Sequence, residues 1–455
     1  MRATSGPAAA LALVLSLGGL EGCAAYRPAP LGPAVDALLA PPDREALSRA
    51  AGRLDHPRLS PLLIDFARPL TPEALGVMAV IANPDLKAAR ARAGVADAQL
   101  FSAGLLPDPQ FTFSLDHPVS PATGYINALT GQLNLDVAAL RDHTVSVAGA
   151  RAAREQVRLD LAWREWGAAG QARLLAARIM GLERAADLTG RAEALAKQEL
   201  DRVLPAALRG DVKADDVQSR RIADADAGGR ARQAERDLKA ARLELNALLG
   251  LAPSEHLQIA AGAVPPPPFD AEALFQAARA GRLDLLALQA GYDSQDAAVR
   301  KSILDQFPTL QLGVTAARDT SDVRTIGPTT TFSLPLWNRN RGGVAVEAAT
   351  REALRAEYAA RLFTTRSDIA ALVSALEIGV RQRDELAAQA GPLSRTAAAV
   401  QAAAEHGDIA LSAANAVNQA FLDKQIALAA LDQAIAEQVV GLELAIGAPI
   451  PKRPA

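Results

Sequence analysis

The chain has 455 residues and a formal net charge of −3, so it is long enough for two or three ordinary domains and shows no basic surface that would point to nucleic acid. Aromatic residues are only 4 % while alanine is abundant, a composition that suits long helices packed closely through small side chains. Five scattered histidines and three methionines predict neither a metal site nor a cofactor, and the single cysteine, Cys23, excludes an internal disulfide.

Residues 1–22 have a basic start at Arg2, an apolar run from Ala8 to Leu20, and then Glu21-Gly22-Cys23. The run is too short to cross a membrane as a helix and reads as a secretory signal. Leu20-Glu21-Gly22-Cys23 is similar to a bacterial lipoprotein cleavage box, with Glu21 where a small residue is usual. This makes Cys23 the expected lipid attachment point, and Ala24 after it favours the outer membrane. An ordinary signal peptide with an incidental cysteine is the alternative. Residues 23–70, rich in proline, arginine and leucine, predict an extended arm with a short helix at Pro42–Gly52.

Thr71-Pro72-Glu73 opens a helix with threonine as N-cap and proline at its first position. It ends near Asn83, and Pro84 opens a second helix that runs to about Gly104. Two alternating segments follow. Phe111, Phe113 and Leu115 oppose Thr112, Ser114 and Asp116; Leu133, Leu135 and Val137 oppose Gln132, Asn134 and Asp136. Segments of this length with one apolar and one small-polar face fit membrane β-barrel strands, although a half-buried soluble sheet shows the same alternation. The secretory signal and the lack of a membrane-length helix in the mature chain favour the barrel.

From about Arg141 to Leu204 no proline interrupts the chain, and Leu175, Ile179, Leu182, Ala186 and Thr189 step by four and three. A helix so long must lie along a partner as a coiled coil. Pro205–Gly210 is expected to break it, and Asp211–Leu249 to return with Leu238, Ala241, Leu245 and Leu248 at heptad spacing.

The plan then repeats. Pro109 meets Pro308, an offset of 199 residues (308 − 109), and Asp85-Leu86 meets Asp284-Leu285 at the same spacing. The second copy carries a helix from Arg282, strands PTLQLGVTA and TIGPTTTFSLPLW, and then a long helix in which Pro392 predicts a kink. Gly407 marks its tip, and Phe421, Leu428, Ile435, Val439 and Leu442 return. The division is thus a signal at 1–22, an arm at 23–70, a first repeat at 71–261, a proline-rich linker at 262–270, a second repeat at 271–447 and a tail at 448–455. A duplication of this size is architecture. Four strands cannot close a barrel, and an open edge is not tolerated in lipid, so several copies must share one barrel. Two chains would leave little lumen, whereas three leave room for a passage.

The segments LTPEALGVMAVIANPDLKAARAR (70–92), GLLPDPQFTFSL (104–115), FPTLQLGV (307–314), FSLPLWNRNRGG (332–343), RGDVKADDVQSRR (209–221) and HGDIALSAANA (406–416), in this duplicated order, resemble the outer-membrane efflux family of TolC-like channels, particularly its lipid-anchored branch. The resemblance covers about residues 71–447. It implies a mainly α fold with a small membrane β-barrel: a homotrimer with a 12-strand barrel and a coiled-coil helical tunnel. It further implies a passive exit duct in the outer membrane of a tripartite efflux or secretion system, with a periplasmic adaptor protein and an inner-membrane efflux transporter as partners and outer-membrane lipid around the barrel. The first copy departs from the pattern at LDVAALRDH, where the family often has a motif like Leu334–Trp337.

Gly210-Asp211-Val212 and Gly407-Asp408-Ile409 are expected where antiparallel helices meet, with glycine freeing the turn and aspartate capping the returning helix. The resemblance implies that these tips receive the adaptor; the plainer alternative is that they only turn the chain. Some relatives carry a ring of carboxylates near the second tip, where this chain has Ala413 and Ala416. Asp215 and Asp216 remain as acidic candidates for a tunnel constriction, against a solvated helix face. No GxSxG, P-loop, HExxH or cysteine pair points to an enzyme. The rival from another class is a lipid-anchored periplasmic adaptor or helical scaffold, which would show one hairpin flanked by compact β-domains.

Overall fold

The computed structural model describes residues 26–29, 31, 40, 42–119, 124–260 and 269–450. The signal segment, Cys23 and most of the proline-rich linker lie outside the described residues. Residues 42–70 carry α1 (Arg44–Ala51), capped by the Asp43 side chain. Helix α2 (Pro72–Ala82) starts as the sequence predicts, with the Thr71 hydroxyl accepting from the Ala74 amide. Asn83 ends α2 and caps α3 (Pro84–Gly104), accepting from the Leu86 amide.

Strands β1 (Gln110–Asp116) and β2 (Ala128–Asp136) follow, then α4 (Val137–Leu208) and α5 (Ala214–Leu248). The second repeat has the same plan: α6 (Ala271–Gly281), α7 (Leu283–Leu304), β3 (Leu310–Arg318), β4 (Arg324–Phe332), α8 (Arg341–Glu405) and α9 (Leu411–Ile446). The duplicated helix–strand–strand–long-hairpin order read from the sequence is therefore the architecture. The 72 residues of α4 extend about 110 Å at 1.5 Å per residue.

One expectation about a proline is corrected. Pro205 does not break the first long helix but lies inside it, one turn before its end at Leu208. A proline there removes only one backbone bond, and the last turn is closed by other means, described below. Pro392 lies within α8, as the sequence places it, and its carbonyl accepts from the Thr396 hydroxyl.

The four strands form one antiparallel sheet in the order β1-β2-β3-β4. Helices pack side by side in two tiers that share α4 and α8. Near the sheet the row is α3-α4-α7-α8; toward the hairpin ends it is α5-α4-α9-α8. Each repeat buries its own core. The first gathers Leu75, Met78, Leu175, Ile179, Leu245 and Leu249 with Leu47, Ile64 and Leu70 from residues 42–70. The second gathers Phe275, Ile369, Leu376, Ile435, Val439 and Leu442. The stripes predicted for both hairpins supply these cores because positions three and four apart share one helix face.

Candidate channel wall and hairpin tips

Register decides what each face of the sheet presents. Directly paired residues share a face, so the ladder can be read across. One face carries Phe111-Leu133-Val314-Pro328, then Phe113-Gly131-Ala316-Ile326, with Leu135-Leu312 and Leu310-Phe332 toward the helices. The other carries Gln110-Asn134-Gly313-Thr329 and Thr112-Gln132-Thr315-Gly327. Apart from Thr330 beside Leu312 and the row at the far end of the sheet, apolar and polar rows are thus segregated over all four strands. None of the described residues covers the apolar face: Phe111 is 69 % exposed and Ile326 78 %. A soluble sheet would bury that face.

The same two sides of the chain are open at every level. β1 and β4 are the sheet edges. In the upper tier α3 and α8 flank the row, and in the lower tier α5 and α8 do. Large apolar side chains are exposed along these flanks: Val95 and Phe101 on α3, Ile222 and Leu243 on α5, Val346, Phe363 and Ile378 on α8. Chains with unsatisfied edges and exposed apolar flanks need a covering partner.

Gly210-Asp211-Val212 and Gly407-Asp408-Ile409 lie at the far ends of the two hairpins. Gly210 and Gly407 have φ of 82° and 83°, the left-handed region that glycine enters without penalty. At each tip the glycine amide donates to a carbonyl three residues back, and the following aspartate amide donates to one five residues back. These are the two bonds of a Schellman closure, which satisfies carbonyls the helix end leaves free. The aspartates do not cap the returning helices, as the sequence suggested. Helices α5 and α9 start after Lys213 and Ala410, neither with a side-chain cap, and the Asp211 carboxylate accepts from Arg209. The extra residues between glycine and helix place the aspartates out of capping reach. Asp211, Asp408 and Ile409 are exposed, and Val212 is half-buried. Asp215 and Asp216 occupy the first turn of α5, exposed, where the helix dipole favours negative charge.

Between the hairpins runs a set of ion pairs that sequence alone did not reveal. Arg178 on α4 makes two 3.2 Å bonds to Glu437 on α9, and this carboxylate raises the arginine's pKa. Nearby, Arg173 bonds Glu443, and Arg230 on α5 reaches Asp423 on α9 at 3.4 Å. Higher up, Arg282 bonds Asp284 at 2.7 Å, donates to the Ala445 carbonyl, and stacks 4.7 Å over the Trp163 ring. Asp160 nearby has its pKa pushed up, first by burial, with the Arg164 guanidinium opposing. Apart from Arg282 with Asp284 and Asp160 with Arg164, the partners lie more than a hundred residues apart, so no local spacing signals them. Among the described residues no group of three or more histidine, cysteine, aspartate or glutamate side chains is placed to hold a metal.

Comparison with known proteins supports the geometry. Residues 274–448 match the family described as outer membrane efflux protein. No curated protein matches the sequence. Among solved structures, CusC, studied for folding and transmembrane channel formation, superposes with a TM-score of 0.68 at 14 % identity, covering 87 % of this chain and 98 % of that one. The Campylobacter jejuni CmeC outer membrane channel gives 0.68 at 16 % identity over 84 % of this chain and 87 % of its own. The open state of the Neisseria gonorrhoeae MtrE outer membrane channel gives 0.62 at 18 % identity over 82 % and 88 %. The chain therefore has the fold of these channels along most of its length.

Proposed function

From a chain that resembles the outer membrane efflux proteins in the signature of its second repeat and in its whole fold, we propose a homotrimeric outer-membrane channel that serves as the passive exit duct of a tripartite efflux system. The observation that carries the proposal is the coincidence of open edges. If β4 of one copy pairs with β1 of the next, three copies close twelve strands, and the same rotation sets α8 of one copy against α3 and α5 of its neighbour. A head-to-tail contact that closes as a ring leaves no edge in lipid. The apolar face then meets lipid and the polar face a water-filled lumen. Twelve helices continue the wall into the periplasm, anchored at Cys23 by lipid.

The tips Gly210-Asp211-Val212 and Gly407-Asp408-Ile409 are then the periplasmic end and receive the adaptor, which links the duct to an energised inner-membrane efflux transporter. In this reading Asp215 and Asp216, exposed in the first turn of α5, are the acidic candidates for narrowing the tunnel mouth, against a solvated helix face. The protein performs no chemistry on what passes.

The mass of the detergent-extracted protein tests the assembly. A trimer recovered from the outer membrane is expected. A monomer held only by its anchor would return the sheet to a soluble one and favour the adaptor or scaffold alternative. Gly407→Trp with Asp408→Arg tests the tips: adaptor cross-linking and export should both fall, and unchanged values of both would remove the tips from the contact.

A further inference from the structure

At the sheet end far from the helices, the apolar face closes on a row that differs from all those below it. Leu115 and Leu129 are followed by Arg318 and Arg324, which lie directly opposite each other on β3 and β4. Two like charges in direct cross-strand register repel, so the pair costs stability unless something between them carries negative charge. The protein supplies little. Asp322 Oδ1 stands 3.9 Å from Arg318 Nε, and the Arg318 Nη2 donates to the Asn127 carbonyl at 3.3 Å. Arg318 Nε is buried without a hydrogen-bond partner. The Asp319 Oδ1 accepts from the Ser321 and Val323 amides, and no ion pair joins Asp319 to either arginine among the described residues. Arg324 is exposed and has no carboxylate partner among the described residues.

Depth identifies what lies there. Arg318 is the ninth residue of β3, eight beyond Leu310. At about 3.3 Å per residue and a barrel tilt of roughly 40°, it sits on the order of 20 Å above the Leu310-Phe332 row, near the top of an apolar band about 25 Å tall. The helices leave from the opposite end, so this is the outer rim, where hydrocarbon gives way to lipid headgroups.

We propose that Arg318 and Arg324 together form a binding site on the lipid-facing wall for a phosphate-bearing lipid of the outer leaflet. Two adjacent guanidinium forks match the oxygens of one phosphate, and the acyl chains would run down the rows of Val314, Leu312 and Ile326. The first repeat has Val119 and Tyr125 at the corresponding positions, so each copy offers one such site, on its second hairpin. The inference rests on the outer-membrane channel reading.

The test uses the detergent-extracted full-length protein, stripped of lipid and offered a diphosphorylated glucosamine glycolipid or its dephosphorylated form, with retention read by native mass spectrometry. Wild type should hold the phosphorylated lipid on the order of tenfold more tightly than Arg318→Gln with Arg324→Gln. The double lysine variant should fall between, keeping charge but losing the fork. Both proteins should hold the dephosphorylated lipid alike, and millimolar inorganic phosphate should not displace the bound one. Equal retention by wild type and the glutamine variant, or no preference for the phosphorylated lipid, would overturn the site. Displacement by inorganic phosphate would overturn the lipid assignment. Trimeric mass is read in the same spectra: a trimer with unchanged retention rejects the arginine site alone, whereas a monomeric wild type rejects the channel and the site together.

Discussion

The first and second repeats share one plan and differ in what covers it. Helix α2 is apolar apart from Glu73 in its first turn, and nine of its eleven residues are buried. Its counterpart α6, 199 residues later, is amphipathic and buries only Phe275 and Ala278. The cause is the segment before α2. Residues 42–70 fold α1, Ile64 and Leu70 over its outer side, and Leu70 also bridges to Ile259. No equivalent segment among the described residues covers α6. A helix that is hydrophobic all round needs burial on all sides, so the extra cover and the α2 sequence belong together.

The entry into the long helices differs as well. In the first repeat, β2 passes straight into α4, with Asp136 accepting from the Ala139 amide as the N-cap. In the second, residues 333–340 intervene between β4 and α8, and Arg339 and Asn340 both adopt left-handed backbone. The departure LDVAALRDH thus marks a direct strand-to-helix passage where the second copy takes a loop.

The largest test of this comparison concerns two carboxylates near the ends of the returning helices, Glu443 on α9 and Glu244 on α5. Glu443 is buried, bonds Arg173 and accepts from the Ile450 amide, whereas Glu244 is exposed. Glu443→Ala should cost about 3–5 kcal/mol by stranding a buried arginine, and Glu244→Ala less than about 1 kcal/mol. Thermal unfolding in detergent reads both, and equal losses would refute the asymmetry.

Next is Gly170 on α4, a buried glycine in the face that α9 crosses. A Cβ on Gly170 would overlap the Leu444 side chain, because α9 crosses α4 closely there. Gly170→Ile should cost about 1–3 kcal/mol through overpacking; an unchanged unfolding midpoint would mean the contact is loose.

The tips should respond alike. A Cβ at Gly210 or Gly407 meets nothing within 4 Å, so valine there pays only for the left-handed backbone. A loss of about 1–2 kcal/mol is expected at each, seen as faster proteolysis of the hairpin ends. A markedly larger loss at one tip would expose a contact the other lacks.

The smallest effect concerns Asp296 and its counterpart Asp97. Arg351 holds the Asp296 pKa down first by hydrogen bonding, with Arg300 adding to it, while the Asp97 pair with Arg154 is more exposed. A depressed folded-state pKa contributes stability above the ordinary aspartate value and loses it as pH falls through the depressed one. Asp296→Asn should therefore cost under about 1 kcal/mol at neutral pH and nothing in strong acid. Unfolding curves across pH that stay parallel for wild type and variant would remove the linkage.

Sequence alone determined the duplication, the element order, both tip glycines and the two faces of every strand. Those features rest on local rules: a period of two or 3.6, a proline at a helix start, a glycine where φ turns positive. Long helices also announced the hairpins, since a helix that cannot fit inside a domain must lie along another. Tertiary structure alone decided which carboxylate of the returning helices is buried, which glycine admits a crossing helix, and which arginines join the hairpins. It also placed α9 inside the helical row and α5 at its edge. Neighbours across a hundred or more residues leave no periodic trace in the chain, because the interaction depends on which face meets which helix and not on spacing along one of them. The two arginines at the outer rim were visible as letters, but only the strand register set them opposite each other on the apolar face.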